Sequence, residues 1–256
     1  MDNMSGIFIL THKDFVKNKR VENLRVVKMG PQSENLSIEG VTDNVGENIS
    51  NKNQNYSELT AAYWIAHNVD EKILGFEHYR RYFVDKLGRP LTEKNMMAIL
   101  EKYDAIVPQP RVFKNETVLG YYEKNHRGSD IQMLETVIND LYPEYVESFD
   151  KVFHGHSFLQ YNMLVAKKKI FVDYHQWLFD ILFELEKRVD ISDLDAYQGR
   201  IFGFISERLL AVWLIKNDVN YTTRYVANIE NSFIENAKDR YSNFVKGHLG
   251  FSNLHY

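Results

Sequence analysis

The sequence predicts an α/β protein with one continuous core, its strands concentrated in residues 1–128 and its helices in a mainly helical half over residues 129–256. Two observations predict it. Apolar runs of strand length, Ile7–Leu10, Ile73–Phe76 and Ala105–Val107, are separated by segments of helical periodicity. Beyond Ser129, apolar residues recur at three- and four-residue intervals through Ser129–Leu141, Phe171–Arg188 and Ile205–Lys216. With 256 residues, 44% of them hydrophobic and 14% aromatic, the chain can bury a substantial core.

In chain order, Ile7–Leu10 reads as a strand buried on both faces that exits into Thr11-His12-Lys13. Residues 30–55 are rich in Asn, Ser, Gly and Asp and read as a long connection of functional type. Ser57–Asn68 follows as a helix, because Leu59, Ala62, Tyr63 and Ala66 share one face behind the capping candidates Asn55 and Ser57. After the strand beginning at Ile73, Thr92 caps a helix running to about Tyr103, and Ala105–Val107 forms a strand before Pro108. Strand, helix and strand in that order predict a partly parallel sheet. Val219–Val226 returns as a strand. Trp177, Leu178 and Phe179 read as core.

Composition narrows the function. No apolar run approaches the roughly 18 residues of a membrane span, and Met1–Met4 lacks a signal layout, so a cytoplasmic location is expected. The absence of cysteine excludes disulfides, thiolate nucleophiles and cysteine metal sites. A net charge of -4 without a basic stripe argues against nucleic acid as a partner.

The most informative segment is Ile73-Leu74-Gly75-Phe76-Glu77-His78-Tyr79-Arg80-Arg81-Tyr82-Phe83, an apolar strand running into two arginines among aromatics. Ligands in α/β proteins gather outside the carboxyl ends of strands, and guanidinium groups bind phosphate oxygens in bidentate fashion, so a diphosphate is expected at Arg80 and Arg81 beside His78. Successive strand residues face opposite ways. Both arginines therefore reach one ligand only if the chain turns there; otherwise one of them is structural.

His78-Tyr79-Arg80-Arg81-Tyr82-Phe83, together with Asn55-Tyr56-Ser57-Glu58-Leu59-Thr60, Tyr161-Asn162-Met163, Trp177-Leu178-Phe179 and Ser206-Glu207-Arg208-Leu209-Leu210, resembles a bacterial glycosyltransferase family. This family of capsule, exopolysaccharide and O-antigen assembly was first catalogued as a domain of unknown function. The resemblance runs from the first strand to about Asn217. It implies a GT-A-like fold and an inverting transferase, with galactofuranose from a uridine diphosphate donor as the expected sugar. A pyranose such as galactose or N-acetylglucosamine is the alternative, and a non-catalytic sugar-nucleotide-binding module a further one. The implied acceptor is a glycan, lipid-linked at the inner face of the cytoplasmic membrane. The tail from Ala237 to Tyr256, with Lys238, Arg240, Lys246 and His248 among aromatics, is compatible with peripheral membrane contact.

Within that frame Thr11, His12 and Lys13 stand where a GT-A-like enzyme meets its nucleotide, and Asp43 and Asn44, in a loop resembling the family's motif region, are assigned to donor recognition. No resident cofactor or metal is expected: guanidinium charge replaces the divalent ion many GT-A enzymes hold by Asp-x-Asp. The literal Asp193-Leu194-Asp195 lies in a polar connection, where aspartates cap and form turns, and His154-Gly155-His156 lacks a carboxylate at zinc-motif offsets. An inverting transfer needs one general base. Glu207, read as lying near a helix start, is the first candidate and Asp130 the second, with His126 and Asn162 assigned to the acceptor.

Overall fold

A computed structural model describes residues 5–246; the first four residues and the end of the tail, including His248, lie outside them. In chain order the described elements are β1 (Ser5–Thr11), β2 (Arg25–Lys28), β3 (Val41–Thr42), α1 (Asn53–Tyr56), α2 (Leu59–Asn68), β4 (Ile73–His78), β5 (Arg81–Phe83) and α3 (Glu93–Leu100). Then come β6 (Ala105–Pro108), β7 (Pro110–Val112), α4 (Val118–Asn125), α5 (Ser129–Leu141), α6 (Val146–Phe153), β8 (Ser157–Leu159) and β9 (Leu164–Lys167). The last are α7 (Lys168–Arg188), α8 (Ile201–Lys216), β10 (Tyr221–Arg224), β11 (Val226–Asn228) and α9 (Phe233–Lys246).

The main sheet runs β10-β6-β9-β4-β1-β2-β3, with β5 continuing from the end of β4 and β11 pairing with β5. β1, β2, β3 and β4 are mutually parallel, whereas β9 runs antiparallel to both β4 and β6. Pleat alternation sorts β1 between two cores: Phe8 and Leu10 join the cluster under α2, α5, α6, α7 and α8, and Ile7 and Ile9 join the one that α3 and β5 close. The sheet is thus covered on both faces, which is why its strands read as continuous apolar runs.

Several expectations are corrected. β9, from the half read as mainly helical, occupies the middle of the sheet, so the two halves interleave. Its Leu-Val-Ala core is too short to show strand periodicity beside the long helix that follows it directly. β3 lies in the stretch read as a long connection, and β2 just before it, where no element is expected. The helix over Leu59–Asn68 has no side-chain cap; Asn55 instead donates to the Gly199 carbonyl at 2.8 Å. Thr92 does cap α3, in a reciprocal box with Asn95. Trp177 is core, stacked on Tyr145 at 4.8 Å between centroids. Among the described residues no helix is long and apolar enough to cross a membrane.

The β4–β9 contact is unusually close at Gly75, where a Cβ would meet Val165 Cα at 2.6 Å and the Leu164 carbonyl oxygen at 2.7 Å. Both are backbone atoms and cannot rotate away. Gly75→Ala is expected to cost about 1–3 kcal/mol through forced separation of the central strands, read as a lowered urea midpoint.

Candidate active site

A cleft of about 690 Å³ opens at the carboxyl ends of β1 and β4. β4 ends at His78, the chain turns through Tyr79 and Arg80, and Arg81 starts β5 directly opposite His78. This is the turn the two-arginine reading required, and both side chains line the cleft. Arg80 Nη1 sits 2.9 Å from Glu230 Oε2, and Lys13 Nζ lies 3.9 Å from the other oxygen of the same carboxylate. Arg81 lies over the Tyr161 ring, 4.7 Å from its centroid, and makes no ion pair among the described residues. His12 meets Tyr79 edge-on at 5.4 Å, and the Tyr82 hydroxyl donates to the Tyr79 carbonyl at 2.9 Å, which fixes the turn.

The facing wall is built on strained backbone. Ser57 (φ 52°), Tyr161 (φ 76°) and Asn162 (φ 52°) adopt positive φ, a conformation that side chains other than Asn and Asp seldom take. Between Ser57 and this β8–β9 connection stands Glu58, whose Oε1 accepts from Asn162 Nδ2 at 2.8 Å. Asn162 Nδ2 also reaches the Gly203 carbonyl at 3.1 Å, and its Oδ1 accepts from Ser206 Oγ at 2.8 Å. Glu207 adds a second carboxylate: Oε1 accepts the Tyr161 amide at 3.0 Å and Oε2 lies 3.1 Å from Arg208 Nη1. Arg200 closes the rim, donating to Ser57 Oγ at 2.9 Å.

Burial and the crowd of cations set the ionisation. Desolvation, with Lys13, Arg80 and Arg200 nearby, depresses the pKa of His12, so its ring is neutral at neutral pH. Desolvation also depresses His78, whose Nε2 donates to the Tyr161 carbonyl at 2.8 Å; Glu58 opposes that shift and Arg81 adds to it. Glu207 is raised by burial, against the pull of Arg208 and Arg81.

The structure places the remaining predicted residues away from the ligand space. Thr11 is buried and hydrogen-bonds within its own turn to Lys13. Asp43 is buried and fully occupied, accepting from Gly30 N at 2.9 Å, Ser50 Oγ at 2.7 Å and Thr60 Oγ1 at 2.6 Å; it staples the connection over residues 30–55 to α2. Asn44 donates to Glu34 at 2.8 Å. Neither Asp43 nor Asn44 lines the cleft. Asp130, also outside it, is buried with its carboxyl 2.7 Å from Arg127. His126 packs behind the cleft, 4.3 Å from the Phe204 ring with Nδ1 at 2.9 Å from Gln198 Oε1. Asn162 spends its amide inside the wall rather than on a ligand. Glu207 lies mid-way along α8, six residues from Ile201, so no helix amino terminus stabilises it. Ser206 bonds back to the Gly203 carbonyl at 2.9 Å.

Asp195 accepts from the Tyr197 and Gln198 amides at 2.9 and 2.8 Å, turn chemistry as expected, and the imidazoles of His154 and His156 bond to the carbonyls of Asp150 and Glu116. Among the described residues no three His, Cys, Asp or Glu side chains gather as a ligand set. The residues missed by sequence reasoning are Glu58 and Arg200. Glu58 lies inside a quoted motif, but its exposure to the cleft depends on the Ser57 backbone, which leaves no periodic trace.

The chain belongs to the family described as a domain of unknown function, DUF4422, whose profile matches residues 6–218. Among solved structures it is similar to the WbbM bifunctional glycosyltransferase in its apo form, at 26% identity and a TM-score of 0.81, over 90% of this chain and 46% of that one. This chain therefore spans under half the length of that protein. No curated protein matches it. The fold is GT-A-like, as the sequence led us to expect.

Under the β4–β5 turn, Glu77 is wholly buried: Oε1 accepts the Phe83 amide at 2.6 Å, Oε2 finds no partner among the described residues, and burial pushes its pKa up to about 8. The folded chain keeps this proton, whereas the unfolded chain releases it near the ordinary 4.5, so stability falls as pH rises from about 4.5 to about 8. Glu77→Gln keeps the acceptor oxygen and removes the titration. Its Tm relative to the unsubstituted protein is expected to climb steadily between pH 5 and pH 8; a constant difference would show that Glu77 does not titrate there.

Proposed function

We propose that the chain is a glycosyltransferase of bacterial polysaccharide assembly that binds a sugar nucleotide in this cleft. The observation that carries the reading is the convergence of Lys13, Arg80, Arg81 and Arg200 with the neutral imidazole of His12 at the carboxyl ends of β1 and β4, facing Glu58 and Glu207. Phosphate oxygens and a reacting hydroxyl need that division of charge. The structural likeness to a glycosyltransferase adds support. The donor is a uridine diphosphate sugar, with galactofuranose favoured over a pyranose by the motif resemblance alone.

Departure of the diphosphate leaves negative charge, which Arg80 and Arg81 stabilise at the turn without a divalent ion. Lys13 supports the same phosphate side. The glycan hydroxyl attacks the anomeric carbon from the opposite side while a carboxylate takes its proton. Glu58 suits that role better than Glu207. One of its oxygens is oriented by Asn162 and the other has no hydrogen-bond partner among the described residues, whereas both oxygens of Glu207 are engaged in holding Tyr161 and Arg208. Glu207 is then a positioning residue. A non-catalytic binding module would share the cations and release no uridine diphosphate.

Two measurements test this. Release of uridine diphosphate from a panel of donor sugars is expected to persist in excess chelator and to fall about 10²-fold or more in Arg81→Ala, as for loss of one preorganised charge donor; strict dependence on added manganese or magnesium would sink the metal-free scheme. Glu58→Gln is expected to lower kcat about 10²–10⁴-fold with donor binding retained, and Glu207→Gln to lower it less. The reverse order would make Glu207 the base.

A further inference from the structure

A second concavity of about 350 Å³ adjoins the cleft, and Arg81 and Tyr161 belong to the walls of both. Its other face comes from β11 and α9, beyond residue 218 where the family match ends. We propose that this groove holds the sugar end of the acceptor glycan, an inference that rests on the transferase reading of the cleft.

The lining mixes amides, rings and charges, a set able to recognise a polyhydroxylated ligand. Gln109, Gln160, Asn228 and Asn231 present amides, each able both to donate and to accept, beside four charged residues that include Asp239 and Lys246, while Tyr161 and Tyr225 supply ring edges and faces. Gln109 also has its Oε1 buried without a hydrogen-bond partner among the described residues, an unspent acceptor on a side chain of the lining. The backbone of the outer wall is fixed in advance: Asn236 Oδ1 accepts the Asn228 amide at 3.1 Å and Asn236 Nδ2 donates to the Asn228 carbonyl at 2.9 Å. Position supplies the remaining argument. A hydroxyl at the Tyr161 end of the groove enters the cleft beside Arg81 and Glu207, on the wall that carries Glu58.

The outer wall of the groove comes from residues beyond the family match, and on this assignment the groove sets acceptor choice while the cleft sets donor chemistry. Ser242 lines the groove from the exposed face of α9, and Asn231 from the β11–α9 connection; neither lines the cleft. Ser242→Trp fills the space, and Asn231→Ala removes one amide without adding bulk.

Saturation-transfer NMR with the methyl glycosides of galactose, glucose, N-acetylglucosamine and rhamnose is expected to show transfer to at least one of them in the unsubstituted chain. That signal should fall at least fivefold in both variants, with affinity for uridine diphosphate unchanged within twofold. No transfer to any glycoside, or equal transfer in the variants, overturns the groove assignment while uridine diphosphate binding leaves the cleft reading standing. Glycoside binding that is lost in the variants, in a protein that binds no uridine diphosphate, would keep the groove and remove the donor cleft.

Discussion

The Asn162 side chain is the interaction on which the cleft depends. From a positive-φ position between β8 and β9 it bonds to Glu58 at the start of α2 and to Gly203 and Ser206 on α8. Three elements far apart in sequence are thereby fixed by one buried amide whose donor and acceptor sides are both used. Replacing it with an apolar residue would leave Glu58 unoriented and remove the side-chain donor to the Gly203 carbonyl, a penalty larger than the roughly 1 kcal/mol a single hydrogen bond contributes net. Strain at Ser57 and Tyr161 persists because this network and the packing behind it over-determine the local geometry.

Electrostatics in the cleft are a competition between burial and neighbours. Burial depresses the pKa of both His12 and His78, and the neighbouring cations add to the same tendency while Glu58 opposes it, so both rings stay neutral. The carboxylates feel the opposite balance: Arg208 and Arg81 oppose the burial that raises Glu207. Glu77 shows the limit of the trend. With no cation beside it and one oxygen unpartnered among the described residues, burial wins outright and the group stays protonated near neutral pH. A neutral carboxyl there lets the β4–β5 turn pack on an apolar layer while Oε1 still anchors Phe83.

Much of the frame was legible in the sequence because it follows periodicity. β1, β4, β6, α3 and α5 declare themselves through apolar runs or amphipathic spacing, and Thr92 through its cap. The arginine turn was legible as a requirement, since alternation forbids both side chains from facing one ligand along a strand. What escaped has physical reasons. β9 packs closely on β4 where Gly75 lets a neighbouring backbone approach, and nothing in Leu164–Lys167 encodes that partner. Asp43 looked like a ligand-binding aspartate, and its burial depends on Gly30, Ser50 and Thr60 folding around it. Glu207 looked like a first-turn residue because the helical pattern upstream of Ile205 is weak, although α8 begins at Ile201.

The segment beyond residue 218 is attached to the cleft in two ways of unequal strength. Glu230 spans Arg80 and Lys13, but all three side chains are substantially exposed, and such pairs contribute about 0–1 kcal/mol. The stronger attachment is backbone. β11 pairs with β5 through Val226 with Phe83, Ala227 with Tyr82 and Asn228 with Arg81, and the Ile229 amide donates to the Arg80 carbonyl at 2.9 Å. The strand that carries Arg81 is therefore the same strand that sets the position of the groove's outer wall. A shift in one is a shift in the other, so the cationic cleft and the adjoining groove keep a common register without any side chain having to enforce it.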